Sequence, residues 1–397
     1  MTDWVETTLG QVVELKRGYD LPSARREPGP VPIISSSGRS GFHSVAKVRG
    51  PGVVTGRYGT LGQVFFVEED FWPLNTALYV RDFRGNSPRF VSALLTSLNL
   101  GRNEAAAAVP GVNRNHLHRL PVRLPAKRIQ DSIARILTSL DDLIENNRRR
   151  IELLEQMAQA IYREWFVHFR YPGHEKDELV DSPLGPIPSG WVAPPLRELV
   201  DTRYGHTDSA VADGPGPKFV RVMDINKLPF IDWSRVPHCS PVSDERAERV
   251  GVRPGDVVVA RMADPGKVGI VEEHRVAIFA SYLVRIRANR SGPSPYFLFY
   301  SLRESRYQDF ILGASTGTTR KSVSAQVMVE APFLLPPAAI VESFESQATT
   351  LRTLLTVLVR KNACLAGLRD LLLPKLVSGE IDVSNLDLDT LTEAALV

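Results

Sequence analysis

The sequence predicts an α+β chain with a pseudo-twofold internal repeat: two similar mixed α/β units separated by two long antiparallel coiled-coil helices. Three observations lead there. An ordered series of residues in the first half recurs in the second. Short β-branched runs bounded by Gly, Pro and Ser fill the repeated part. Two further stretches place apolar residues in alternating steps of three and four. At 397 residues, 43% hydrophobic and 23% charged, the chain has room for two or three packed domains and is too apolar for wholesale disorder.

The repeat begins at Trp4-Val5, which returns at Trp191-Val192. The same offset of 187 pairs Leu9 with Leu196, Val13 with Val200, Lys16 with Arg203 and Gly18 with Gly205. Further on the offset lengthens: Pro51-Gly52 pairs with Pro254-Gly255, Arg57 with Arg261, Gly62-Gln63-Val64 with Gly266-Lys267-Val268, and Val80-Arg81 with Val284-Arg285. Ser87-Pro88 then returns as Ser294-Pro295. A drifting but ordered series is a duplication with loop insertions.

The elements follow in order. Residues 1–125 and 185–337 form the two units, with short strands such as Val31–Ile34, Gln63–Val67 and Asp256–Ala260 and helices near 87–100 and 294–311. Pro125 and Pro336-Pro337 stand where a helix starts, a place that tolerates proline because first-turn N–H groups are unpaired. The first long helix, 126–170, carries a seam of Ile133, Leu137, Leu140, Ile144, Asn147, Ile151, Leu154, Ile161 and Trp165. The second, 338–379, carries Phe344, Leu351, Leu355, Leu358, Asn362, Leu365 and Leu372, with Arg369 as a second polar interruption. Packing of each stripe against its own unit is the simpler alternative, but the stripes are narrow and long. Antiparallel pairing centre to centre brings Asn147 near Asn362, and a facing Asn pair sets register. Residues 171–184 read as a polar linker and 380–397 as an acidic tail.

Catalytic motifs are not found. Gly313–Ser322 resembles a phosphate loop, but Lys321 stands three residues too late for one. No G-x-G-x-x-G follows a strand, so no cofactor is expected. The eight histidines form no H-E-x-x-H, and His116 and His118 lack nearby ligand partners, so no metal is expected. Cys239 and Cys364 are too few for a disulfide framework and suit a reducing, cytoplasmic setting. The opening residues carry no signal-peptide pattern, and no apolar run reaches the ~18 residues of a membrane span.

The net charge of +3 hides a division. Residues 1–125 hold 15 basic against 10 acidic side chains, and 185–337 hold 19 against 16; the linker and the C-terminal segment are acidic. Local basic surface is what phosphate binding needs. Candidate contacts lie in loops: Arg57 and Tyr58 in the first unit with Arg261 in the second, Lys267 beyond it, and Asn113-Arg114-Asn115 matched to Thr319-Arg320-Lys321. Arg reads guanine bidentately and Asn reads adenine. The plainer alternative is that these are solvated loop charges.

The pattern resembles the specificity (S) subunit of type I restriction-modification enzymes. The resemblance rests on W-x4-L-G-x2-V at Trp4–Val13 and W-x4-L-x2-L-V at Trp191–Val200, and on the matching Pro51–Val54 and Pro254–Val257. It rests also on Leu-Pro before each long helix and on the ending LLLPKLVSGEIDV at 371–383. It implies two target recognition domains, each reading half of a split double-stranded DNA site, held apart by helices whose length sets the gap. It further implies two methyltransferase (M) subunits docked on the helices, restriction (R) subunits joining them, and a non-catalytic role in cytoplasmic phage defence. A methylation-only or type II-like system is the alternative assembly. A DNA-modifying enzyme acting alone and a coiled-coil scaffold without DNA are competing classes. Arg369 and the acidic residues 385–397 depart from the family pattern.

Overall fold

A computed structural model describes residues 4–57, 62–100, 113–315, 321–384 and 386. The chain forms two compact units, Met1–Asn146 with Cys364–Val397, and Asn147–Ala363. The helices Lys127–Phe166 and Ala338–Ser378 each contribute one half to each unit.

The first unit is built on an antiparallel sheet in the order Glu14–Arg17, Ala77–Asp82, Gly52–Gly56, Val64–Val67. Its strands are rich in Val, Leu and Phe, and Val53, Leu15, Leu78 and Val80 are buried under the helix Pro88–Ser97. Pro88 opens that helix, where its missing N–H costs nothing. A second sheet orders Gly38–His43, Val31–Ser35 and Trp72–Pro73. Ile133 and Leu137 of the first long helix join the core together with Leu376 and Val377 of the second.

The second unit repeats the plan. Its sheet runs Val200–Tyr204, Leu283–Ala288, Val257–Ala260, Val268–Ile270, again antiparallel, beneath the helix Pro295–Arg303. A parallel pair, Lys218–Val220 with Ala277–Phe279, stands where Val31–Ser35 pairs with Trp72–Pro73 in the first unit. Even the entry segments match. Leu9 N donates to Leu120 O and Gly10 N to His118 O; Leu196 N donates to Ala331 O and Arg197 N to Val329 O.

Three expectations change. Leu15 faces Val80 while its counterpart Thr202 faces Ile286, so Val80-Arg81 corresponds to Ile286-Arg287, not to Val284-Arg285. A shift of two residues along a strand preserves every side-chain face, which makes the two registers alike in sequence pattern. Residues 171–184 are not a plain linker: Tyr171 is buried, His174–Lys176 forms a 3-10 turn, and Leu179–Val180 pairs with Ile187–Pro188. The tail does not begin at 380, because Ile381 and buried Val383 pack into the first unit's core. Residues 385 and 387–397 lie outside the described residues.

The long helices also do more than form a uniform seam. Ile133, Leu137, Ile144, Asn147, Ile151, Trp165, Phe344 and Leu355 are buried, while Leu140, Leu154, Ile161, Leu351, Leu358, Asn362, Leu365 and Leu372 are half-buried. In the second unit Trp165, Tyr162 and Phe344 merge into an aromatic cluster with Phe166, Phe297 and Tyr300. Inside that unit the helices run antiparallel. Asn147 meets Asn362, and Glu155, further along one helix, meets Arg352, further back on the other. In the first unit Arg369 pairs with Asp141 at 3.0 Å, which explains a charged residue at that position.

Candidate nucleic-acid interface

In each unit four chain segments meet at one end of the main sheet. In the first, Tyr19 N donates to Pro73 O (2.8 Å), Asn75 N to Tyr19 O (3.0 Å), Leu74 N to Ile34 O (2.8 Å) and Arg57 N to Thr76 O (3.0 Å). In the second, His206 N donates to Phe279 O (2.7 Å), Ser281 N to His206 O (2.8 Å), Ala280 N to Val220 O (2.9 Å) and Arg261 N to Tyr282 O (2.9 Å). The same four backbone bonds are thus made twice. Glycine makes the approach feasible: a Cβ on Gly18 would stand 2.2 Å from Leu74 O, and one on Gly205 2.3 Å from Ala280 O.

Arg57 and Arg261 occupy equivalent places on these two ledges. The guanidinium of half-buried Arg261 lies 5.0 Å from the centre of the exposed Tyr204 ring, a cation–π contact that orients it. Ser322 bridges to Met262, and Val323 N donates to Arg261 O, so Lys321 stands beside the same ledge. Lys267 is exposed and lies 3.9 Å from Asp264, a weak surface pair that leaves its charge accessible. Tyr58, Thr319 and Arg320 lie outside the described residues.

Asn113, Arg114 and Asn115 take a different place. Asn113 Oδ1 accepts from Asn115 N and caps the short helix Arg114–Leu117. The second unit has the matching cap at Ser324, whose Oγ accepts from Val327 N at the start of Ala325–Met328. Asn113 therefore corresponds to Ser324, which corrects the match to Thr319–Lys321: both positions carry a small polar side chain that a helix start selects. Nearby His118 accepts from Leu15 N through Nε2 at 3.0 Å, and burial, with Arg114 and Arg84, pushes its pKa below the ordinary imidazole range. It is a neutral framework acceptor.

Sequence reasoning missed Tyr19, Asn75, Thr76, His206, Ser281 and Tyr282. The signal was present in part, since the Gly18/Gly205 match immediately precedes two of them. Burial raises the Cys239 thiol's pKa, which disfavours the thiolate, and among the described residues no cluster of three or more His, Cys, Asp or Glu could hold a metal.

Residues 1–156 match the family model for the type I restriction modification DNA specificity domain. The chain is 24% identical over 283 residues to the type I restriction enzyme MjaIX specificity subunit of Methanocaldococcus jannaschii, covering 70% of this chain and 64% of that protein. It therefore spans less than two thirds of that relative. It is 22% identical over 391 residues to the HindI specificity subunit of Haemophilus influenzae, covering 81% and 84%. Among solved structures, the S subunit of a type I restriction-modification system from M. genitalium shares the fold, with a TM-score of 0.57 at 13% identity over 96% of this chain and 97% of that one.

Proposed function

From this chain's resemblance to the specificity subunits of type I restriction enzymes, we propose that it is the non-catalytic DNA sequence-specificity subunit of such a system. Residues 1–125 and 185–337 each read one half of a bipartite double-stranded target. The helices 126–170 and 338–379 set the gap between the halves and dock two methyltransferase subunits, to which restriction subunits attach. The observation that carries this reading is the ledge built twice on one hydrogen-bond pattern, with Arg57 and Arg261 in equivalent places. Two copies of one reading head on one chain are what a split site requires, and the basic balance of both units suits a polyanion. Arg57, Tyr58, Arg261, Lys267, Thr319, Arg320 and Lys321 are the proposed DNA contacts, with Arg114 and Asn115 beside the capped turn.

Docking is supported by apolar side chains left exposed on the helices. In the second unit these are Leu153, Met157, Leu354 and Val357; in the first, Leu368 and Leu371. Exposed apolar groups gathered along a helix are what a partner subunit covers. Among the described residues no helix is long and apolar enough to cross a membrane.

The test is reconstitution of the full chain with its methyltransferase subunits, followed by mapping of methylated adenines and a gel shift at several salt concentrations. A split methylated sequence with salt-dependent, sequence-selective binding is expected. Arg57→Ala should relax or weaken reading of one half only. Uniform loss at both halves with folding intact, or methylation by the chain alone, would overturn the reading.

A further inference from the structure

We propose that the side chains of Asn75 and Thr76 in the first unit, and of His206, Ser281 and Tyr282 in the second, select the bases that each half-site contains. This inference rests on the DNA-reading function above and names where, within each unit, the choice is made.

The backbone of the ledge is common to both units. Its four cross-segment hydrogen bonds recur pair by pair, and the tight approach at Gly18 and Gly205 leaves it little freedom to shift. Arg57 and Arg261 are common as well, which suits a contact to phosphate, the part of DNA that is the same everywhere. Against that constant frame the remaining side chains differ. Asn75 becomes Ser281, Thr76 becomes Tyr282, and Tyr19 becomes His206. A constant scaffold carrying variable polar groups is how one fold reads two sequences.

The chemistry on the two ledges is distinct. Asn75 gives one side-chain N–H to Asp20, so its amide is oriented; its oxygen and second N–H are the pair that a bidentate adenine contact uses. The Thr76 methyl suits the thymine methyl group. Tyr19 is drawn inward, its hydroxyl 3.0 Å from that of Tyr79, and serves as frame. In the second unit His206 Nδ1 accepts from Arg246 Nε at 3.3 Å, which places the neutral ring's proton on Nε2 as a donor. Tyr282 stands 52% exposed with its hydroxyl at the tip. The first ledge thus offers an amide and a methyl, and the second offers donors and an aromatic face.

The experiment uses the full chain reconstituted with methyltransferase subunits on a library randomised in both half-sites. Thr76→Tyr and Tyr282→Thr exchange the two ledges' side chains, and Tyr282→Ala truncates a side chain whose exposure leaves folding intact, as thermal unfolding will check. Each variant is expected to change base preference about tenfold at one or two positions of its own half-site and to leave the other half as in the wild type. Three outcomes overturn the proposal. Unchanged preference in all folded variants removes the ledge as reader while DNA selectivity stands. Equal weakening on every sequence marks these side chains as phosphate anchors. A wild-type complex with no sequence preference removes the functional reading itself.

Discussion

Asn147 donates its side-chain N–H to the Asn362 side-chain oxygen across 2.9 Å, joining the two long helices within the second unit. Asn147 is buried among apolar seam residues, so its amide depends on that partner. An amide pair satisfies both groups only in one register, whereas leucines slide with little loss.

Removing one half of this pair should therefore cost more than removing both. Asn147→Ala should destabilise the chain by about 1–2 kcal/mol, whereas the double change to Leu should be neutral or stabilising. Denaturant unfolding of the single and double variants measures the coupling.

Arg352 is a stronger case. Its side chain is fully buried. It donates to Glu272 at 2.8 and 2.7 Å, to Pro229 O at 3.0 Å, and to Glu155, which also takes Tyr300 Oη–H at 3.0 Å and pairs with Arg303. Burial alone would lower the Arg352 pKa, but Glu272, Tyr300 and Glu155 raise it above the usual guanidinium value. Arg352→Ala should cost about 3–5 kcal/mol, since it leaves Glu272 buried without its cation and Glu155 with Arg303 alone. Arg352→Lys should rescue only part, because an ammonium lacks the planar fork. Unfolding midpoints in denaturant decide.

Glu345 gives stability a pH dependence with a definite sign. Its carboxylate accepts from Ser294 Oγ at 2.8 Å and from the backbone N–H groups of Tyr296 and Phe297 at 3.1 Å, at the start of Pro295–Arg303. Burial raises its pKa despite those bonds. The folded state then holds the proton more tightly than the unfolded state, and this group's contribution falls as pH rises from the ordinary carboxylate range through the raised value. Glu345→Gln removes that slope, so the variant should gain on the wild type between acid and neutral pH. Thermal melts across that range would show the crossing, and parallel curves would contradict it.

Glycines that admit a close backbone approach should be intolerant where others are not. Gly18→Ala and Gly205→Ala each force a Cβ against a carbonyl oxygen and should cost about 2 kcal/mol or more. Gly313, in the helix Ser305–Ala314, has nothing within 4 Å of its would-be Cβ. Gly313→Ala should be neutral or stabilising by up to about 1 kcal/mol. Thermal unfolding of the three variants makes the comparison.

Much of this architecture was legible in the residues themselves. The W-x4-L openings, the Gly18/Gly205 match and the Ser-Pro helix starts revealed a duplicated plan, and heptad counting set Asn147 opposite Asn362. Such features are local or periodic: a strand shows its face by alternation, a helix by its stripe, a cap by its small polar residue. Tertiary structure alone decided which segments meet. It moved the counterpart of Val80-Arg81 by two residues to Ile286-Arg287, matched Asn113 to Ser324, and sank Arg352 between Glu155 and Glu272. It also gathered Tyr19, Asn75 and Arg57 from three stretches of chain onto one ledge. Periodicity specifies which face of an element is buried and, outside two matched helix stripes, says nothing of its partner. The partner is chosen by backbone hydrogen bonds and packing between segments that loops of unequal length bring together.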